Sequence, residues 1–460
     1  MAGWDNLYNL IAQEIIQRQE EGCNVTGFTE RLTEVGNNET ELMRLYHELM
    51  SLQIDPCFPF KEPNDLEEIK KERPKDINIT LKQDLTQEEW LDKFYGAWLG
   101  RCIGCALGKP LESGSFMYGK NGNPGWLNVY KWFTGANAWP INYYTPEYST
   151  AKDTDNLRLS PYYRSTREHI KFMETDDDIR YTVLGLLMLE NKGLDWDSWD
   201  VGKMWHRHLP FHLVCTAETQ SYLNFANLTN HRERIKPENW QEQLDWVRSY
   251  LNPYREWIGA QIRVDGYAYG AGGNPELAAE LAYRDASFSH VKNGIYGAMF
   301  FAAVIASAFV ENDIEKLIQI GLSKIPSNCR LSHDIKKAVE IAKNAKSELE
   351  LVEKIYEEFK HYNAVHTNNN AALCVASLVY GNGDFEKSIT TAVLGGWDTD
   401  CNGATVGSIV GAMIGANSIP LNWKTPLNDT LYSEISGFHP INISECARRS
   451  YEVFMKLRDL

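Results

Sequence analysis

The stretch on which the fold turns is Gly395-Gly-Trp-Asp398-Thr399-Asp400-Cys-Asn-Gly403-Ala-Thr-Val-Gly407-Ser-Ile-Val-Gly411-Ala-Met-Ile-Gly415. Glycine recurs there every fourth residue, at 403, 407, 411 and 415. On a helix, residues i and i+4 share a face, so the repeat predicts a bare ridge. A second such ridge lies in Gly96-Ala-Trp-Leu-Gly100-Arg-Cys-Ile-Gly104-Cys-Ala-Leu-Gly108-Lys-Pro110-Leu-Glu112. Each helix-interior glycine costs ~1 kcal/mol relative to alanine. Two ridges of four therefore cost on the order of 8 kcal/mol, comparable to the net stability of a domain. Close backbone contact between two helices is the simplest offset. Membrane helices use the same spacing, but the apolar run near 404–416 falls short of the ~20 residues of a bilayer span.

Outward from the ridges the pattern remains helical. A capping box, Thr86-Gln-Glu-Glu89, precedes Trp90, Leu91, Phe94 and Ala97 and marks a helix start. Apolar residues at helical spacing predict helices over 178–191, 334–346, 349–361, 370–380, 384–394 and 401–416. Period-two alternation is scarce, so the expected fold class is all-α. Residues 1–83 read as an N-terminal helical appendage and linker, with Leu7, Leu10, Ile11 and Ile15 at helical spacing. Within it, 53–83 reads as a linker or as a segment laid over a neighbouring surface. Residues 84–460 form the expected catalytic domain. The span 113–165 is rich in Trp, Tyr and Phe interleaved with Gly, Asn and Pro; it reads equally as a cleft lining or as an ordered packed loop.

Composition narrows the function. Of 460 residues 43% are hydrophobic and 23% charged, as in a folded soluble protein. With 46 Lys and Arg against 62 Asp and Glu, the net charge of −16 repels phosphate backbones and anionic membranes, so neither nucleic acid nor membrane is an expected partner. The N-terminus lacks a basic region followed by an apolar core, and nine scattered cysteines do not resemble a disulfide framework. A cytoplasmic location is expected. Cys102-Ile-Gly-Cys105 lies inside a glycine ridge, not in the βαβ setting of a redox motif.

Two acidic clusters sit before helices: Thr175-Asp176-Asp177-Asp178 and Asp398-Thr399-Asp400. Helix capping accounts for one carboxylate at each start. The surplus aspartates repel one another, and a cation would relieve them; Mg²⁺ or Mn²⁺ takes the carboxylate, hydroxyl and water oxygens available here. Caps plus surface acidity would use the same residues without an ion.

The three segments, in this order, resemble the ADP-ribosylglycohydrolase family. The resemblance runs from about 90 to 416 and leaves 1–83 unexplained. It implies an all-α fold with two Mg²⁺ (or Mn²⁺) ions at the bottom of a cleft. Thr175, Asp176 and Asp177 match one side of the metal pair, and Asp398 and Asp400 the other. Glu112 matches the glutamate near the anomeric carbon, the general acid/base, and Asp177 joins it as a catalytic residue. The implied reaction is metal-dependent cleavage of the C1 glycosidic bond of an ADP-ribosyl or related ribosyl or furanosyl substrate, either a small molecule or an ADP-ribosylated one. A nucleoside or carbohydrate furanoside hydrolase that does not act on proteins and a non-catalytic member that binds ADP-ribose or a sugar are the alternatives. This chain departs from the family at Cys105, Asp178 and Cys401, where the family has Asp, Thr and Thr, and it inserts Trp397 after Gly-Gly. Trp397, Asn402, His290 and the loop glycines Gly272 and Gly273 are the expected substrate contacts, and the loop 270–275 is expected beside the cleft.

Overall fold

A computed structural model describes residues 3–75, 81, 84–229 and 235–458. Among them the chain is all-α, with one pair of two-residue antiparallel strands, Thr430–Leu431 and Ile441–Asn442. The two glycine ridges become the helices Gln87–Gly108 and Thr399–Ile414, which pack antiparallel at the centre of the molecule. A Cβ on Gly104 would stand 1.9 Å from the Gly403 carbonyl oxygen, and a Cβ on Gly100 would stand 2.1 Å from that of Gly407. Gly96 meets Gly411 in the same way, and Gly108 meets Thr399. The backbones touch along the whole seam, which no larger residue permits. Gly415 closes the seam, where a Cβ would stand 2.0 Å from Asp92 Oδ2, and it ends its helix at φ 77°, the left-handed region that glycine enters freely.

The first ridge helix begins at the expected capping box, with Thr86 Oγ1 accepting from Glu89 N–H and Glu89 answering on Thr86 N–H. Around the ridge pair lie Asp177–Lys192, Arg330–Asn344, Glu348–Phe359, Thr367–Gly381 and Phe385–Leu394, the helices that periodicity predicts. The most apolar of the surrounding helices, Lys292–Ala308, is buried along its entire length. Arg101 ties the first ridge helix to Asp177–Lys192. Its fully buried guanidinium pairs with Asp178 at 2.8 Å and Asp265 at 3.0 Å, and it donates to Thr182 Oγ1 at 2.7 Å.

The N-terminal helices Leu7–Glu20, Phe28–Val35 and Glu39–Met50 build a small apolar cluster of their own, closed by Ala217, Leu251 and Tyr254 of the main body. Residues 55–75 then run over that body as a strap. Lys61 N–H donates to Asn328 O, Arg330 pairs with Glu62 at 2.8 Å, and Lys70 in helix Leu66–Glu72 pairs with Glu280 at 2.7 Å. The surface beneath this segment is the chain's own; residues 76–80, 82 and 83 of the stretch lie outside the described residues. The aromatic span 113–165 is largely packed structure. Phe116, Trp132, Phe133 and Tyr144 are buried, and Met117 and Tyr118 reach the cleft described next.

Candidate active site

The ridge helices place the site. The first ends at Gly108 and passes through a single turn, Lys109–Leu111, to Glu112. The second begins at Asp398. Because the helices are antiparallel, the C-terminal end of one meets the N-terminal end of the other. Asp177–Lys192 brings its own N-terminus to the same place through Arg101. The three segments thus converge at the floor of a cleft of about 560 Å³ lined by Glu112, Asp177, Asp398, Cys401, Cys215 and Glu218, among others.

Within the floor, ligand atoms of Cys105, Asp176, Asp178 and Asp400 lie within 4.8 Å of one another, as do those of Asp398, Asp400 and Cys401. All of these residues are buried. Capping accounts for one side of the floor and not the other. Asp176 caps its helix, its Oδ1 accepting from Asp178 N–H at 2.9 Å. Asp398 stands at the corresponding position of the second ridge helix and makes no cap bond. Asp178 Oδ2 and Asp400 Oδ1 are buried without a hydrogen-bond partner. Buried carboxylate oxygens with no donor are costly, and a bound cation would satisfy them. Thr175 stands at the edge, its Oγ1 accepting from Arg180 at 2.7 Å.

Electrostatics differ across the floor. Burial pushes the Asp176 carboxyl up, but the Lys109 ammonium bonded to it prevails and holds it well below the usual range. Burial and then Asp176 push Asp177 up to about 6, and the same two causes push Asp400 up to about 7. Burial and Asp400 raise Asp398 well above the ordinary carboxylate range, and they do the same to Glu112.

Of the expected substrate contacts, the structure brings none directly into the cleft lining. Trp397 has a left-handed backbone at φ 57° that turns its ring into the core, 6.1 Å from Tyr356, while Asp398 faces the cleft. Asn402 lies behind the floor, donating to Asn370 Oδ1 at 2.8 Å. Gly272 borders a separate hollow with Leu194, Phe454 and Leu457, and Gly273 N–H bonds Ala306 O. The expected loop 270–275 thus lies away from the carboxylates, its Asn274 capping helix Pro275–Ala286. His290 is buried against Ser289 at 2.8 Å, and burial lowers its imidazole well below the usual range, so it is a neutral core residue.

Sequence reasoning missed two groups. Lys109 and Arg101 lie inside the quoted ridge segment, where a charge on a face otherwise bare or apolar was the available signal. Trp4, Asp5, Asn9, Ala12 and Gln13 of the N-terminal segment line the cleft opposite Glu112 and Asp398, and no local pattern marks them.

The sequence model of the ADP-ribosylglycohydrolase family matches residues 86–454. A solved structure described as "ADP-ribosylglycohydrolase-related protein complex" is similar at a TM-score of 0.48 and 18% identity, covering 80% of this chain and 99% of the other. No curated protein matches by sequence. Among the described residues, no helix is long and apolar enough to cross a membrane.

Proposed function

The chain belongs to the ADP-ribosylglycohydrolase family, and from that premise we propose that it is a metal-dependent glycohydrolase cleaving the C1 bond of a ribosyl or related furanosyl substrate. The observation that carries the reading is the surplus of buried carboxylates at a cleft floor, one of them at a helix start without capping it. A bound Mg²⁺ or Mn²⁺ would supply Lewis-acid polarisation and a water of lowered pKa. Asp398, Asp400 and Asp177 would hold it, with Asp178 supplying an unpartnered oxygen from behind.

The remaining chemistry belongs to the chain's own side chains. Glu112, whose carboxyl burial and then Asp400 push well above its ordinary range, donates a proton to the leaving atom as the C1 bond breaks. Asp177, poised near 6, accepts a proton from the attacking water. One carboxyl acting as acid and one as base is the division of labour that two-carboxylate glycosidases need.

One observation favours the uncharged-riboside alternative over an ADP-ribosyl substrate. Among the described residues no Lys or Arg lines the cleft, while Asp5, Glu112, Asp177, Glu218 and Asp398 do. A diphosphate entering it would meet carboxylates, whereas a nucleoside or aryl furanoside meets Trp4, Tyr118, Tyr254 and Trp257. The nine unpaired thiols fit a reducing compartment, and the proposal places the enzyme in the cytoplasm, acting on a small molecule.

The test is a hydrolysis screen of the full chain with Mg²⁺ against ADP-ribosyl-arginine, ADP-ribosyl-serine, nucleosides and aryl furanosides. Cleavage confined to the neutral ribosides is the expected result. Cleavage of the diphosphate substrates alone would reverse the substrate choice, and no cleavage of any would leave a binding protein.

A further inference from the structure

Lys109 stands between Gly108 and Pro110, where the first ridge helix gives way to the turn carrying Glu112. Its side chain is 3% exposed. Its ammonium bonds Asp176 Oδ2 and is roofed by the Tyr162 ring, whose centroid is 3.8 Å from Nζ. The other oxygen of Asp176 already accepts from Asp178 N–H, so both carboxylate oxygens are engaged by the protein.

The neighbours on this side are equally unsuited to a second ion. Asp178 gives Oδ1 to Arg101 at 2.8 Å and keeps without a partner only Oδ2, the oxygen assigned above to the single ion. The nearby Cys105 offers only sulfur, a poor ligand for Mg²⁺. The Asp398 side is the reverse: among the described residues no Lys or Arg bonds Asp398 or Asp400, Asp400 Oδ1 is buried and unpartnered, and Asp177 and Asp398 open to the cleft.

Resting on the metal-dependent reading above, we propose that the Lys109 ammonium is the resident cation of the Asp176 half, so that the floor takes one divalent ion on the Asp398–Asp400 half instead of the pair the family resemblance implies. In a two-metal site the ions stand ~3.5–4 Å apart and share bridging carboxylates. Lys109 occupies the place from which a second ion would reach Asp176, and it repels any ion brought that close. The protein thereby keeps Asp176 ionised with a charge that cannot be chelated away.

The experiment is metal stoichiometry on the full chain, read by calorimetry with Mg²⁺ and by the electron paramagnetic resonance of bound Mn²⁺. The wild type is expected to bind one ion and to show the hyperfine pattern of an isolated Mn²⁺. Lys109→Ala is expected to bind two, with a spin-coupled Mn²⁺ pair, and Lys109→Arg to remain at one. Two ions in the wild type would overturn the inference and leave the glycohydrolase reading standing. One ion in both the wild type and a folded Lys109→Ala protein would also overturn it. No ion in the wild type would remove the metal-dependent reading itself. Should Lys109→Ala fail to fold, the wild-type count and spectrum decide alone.

Discussion

Two buried acidic clusters of the molecule, the docking seam of the N-terminal helix and the cleft floor, are finished differently. In the seam where the N-terminal helix docks, Arg255 takes Glu14 at 2.7 and 2.8 Å and Glu21 at 3.2 Å. Beside it Arg330 spans Glu62 and Glu256, each at 2.8 Å, while Gln17 and Asn293 donate to Glu256. In the cleft floor, Asp176, Asp177, Asp178, Asp398, Asp400 and Glu112 come together with Lys109 on one carboxylate and Arg101 on another. A buried anion needs a partner and hydrogen bonds to be tolerated. The seam supplies both from within the chain; the floor leaves carboxylate oxygens without partners. Density of acid marks neither structure nor function. The deficit of cations marks the site.

The largest effect that separates the two clusters is expected at Glu112. Glu112→Gln keeps size and removes the proton, so turnover should fall ~10²–10⁴-fold, the scale of a lost general acid. Metal content should be unchanged, because Glu112 is not counted among the ligands. Measuring turnover and bound metal on one preparation decides: undiminished turnover with full metal would take Glu112 out of the chemistry, and lost metal would make it a ligand.

The next effect is on stability, and it should differ in sign between the clusters. Arg255→Met strands Glu14 and Glu21 in the seam, and breaking such a buried pair costs ~3–5 kcal/mol. Asp400→Asn in the floor removes a charge held against burial and Asp176. Without added metal its chemical-denaturation midpoint should equal or exceed that of the wild type, while its Mg²⁺ affinity collapses. Equal destabilisation by both variants would mean that the floor is a structural ion cluster like the seam.

What the sequence made legible follows from how local the signal is. The ridges were readable because a four-residue glycine repeat has one geometric meaning on a helix, and the helix starts because caps are local. The floor's acids were readable as a surplus over capping, since capping needs only one carboxylate per helix. Lys109 was visible in the motif, but its burial depends on where Asp176 arrives from, 67 residues later. Trp397 looked like a cleft residue because its neighbour Asp398 is one; its positive φ sends the ring the other way. The N-terminal wall of the cleft was not readable at all. Asp5, Asn9 and Gln13 carry no pattern, and they reach the cleft only because Glu14 and Glu21, farther along the chain, dock on Arg255.

The smallest expected effect is a pH dependence confined to the seam. Glu20 faces Glu256, Glu21 and Arg330, with His366 Nε2 at 3.5 Å. Burial, then repulsion from Glu256, pushes its carboxyl from an ordinary 4.5 up to about 8. His366 offers no compensating charge, since burial holds its imidazole down at about 3. Between pH 4.5 and 8 the folded chain thus keeps a proton that the unfolded chain has released. The stability this group contributes is complete below the unfolded value and is lost as pH rises through the folded one. Glu20→Gln carries no titrating proton, so its unfolding free energy should fall less between pH 5 and pH 8 than that of the wild type. The difference should be small at pH 5 and grow to on the order of 3 kcal/mol in the variant's favour at pH 8, since each pH unit over which one proton separates the two states is worth ~1.4 kcal/mol. Thermal and urea unfolding at the two pH values measure it. Parallel curves for the two proteins would assign the seam's pH dependence to another group, and a variant less stable at both would show that Glu20 holds the seam together as a partner rather than straining it as an excess charge.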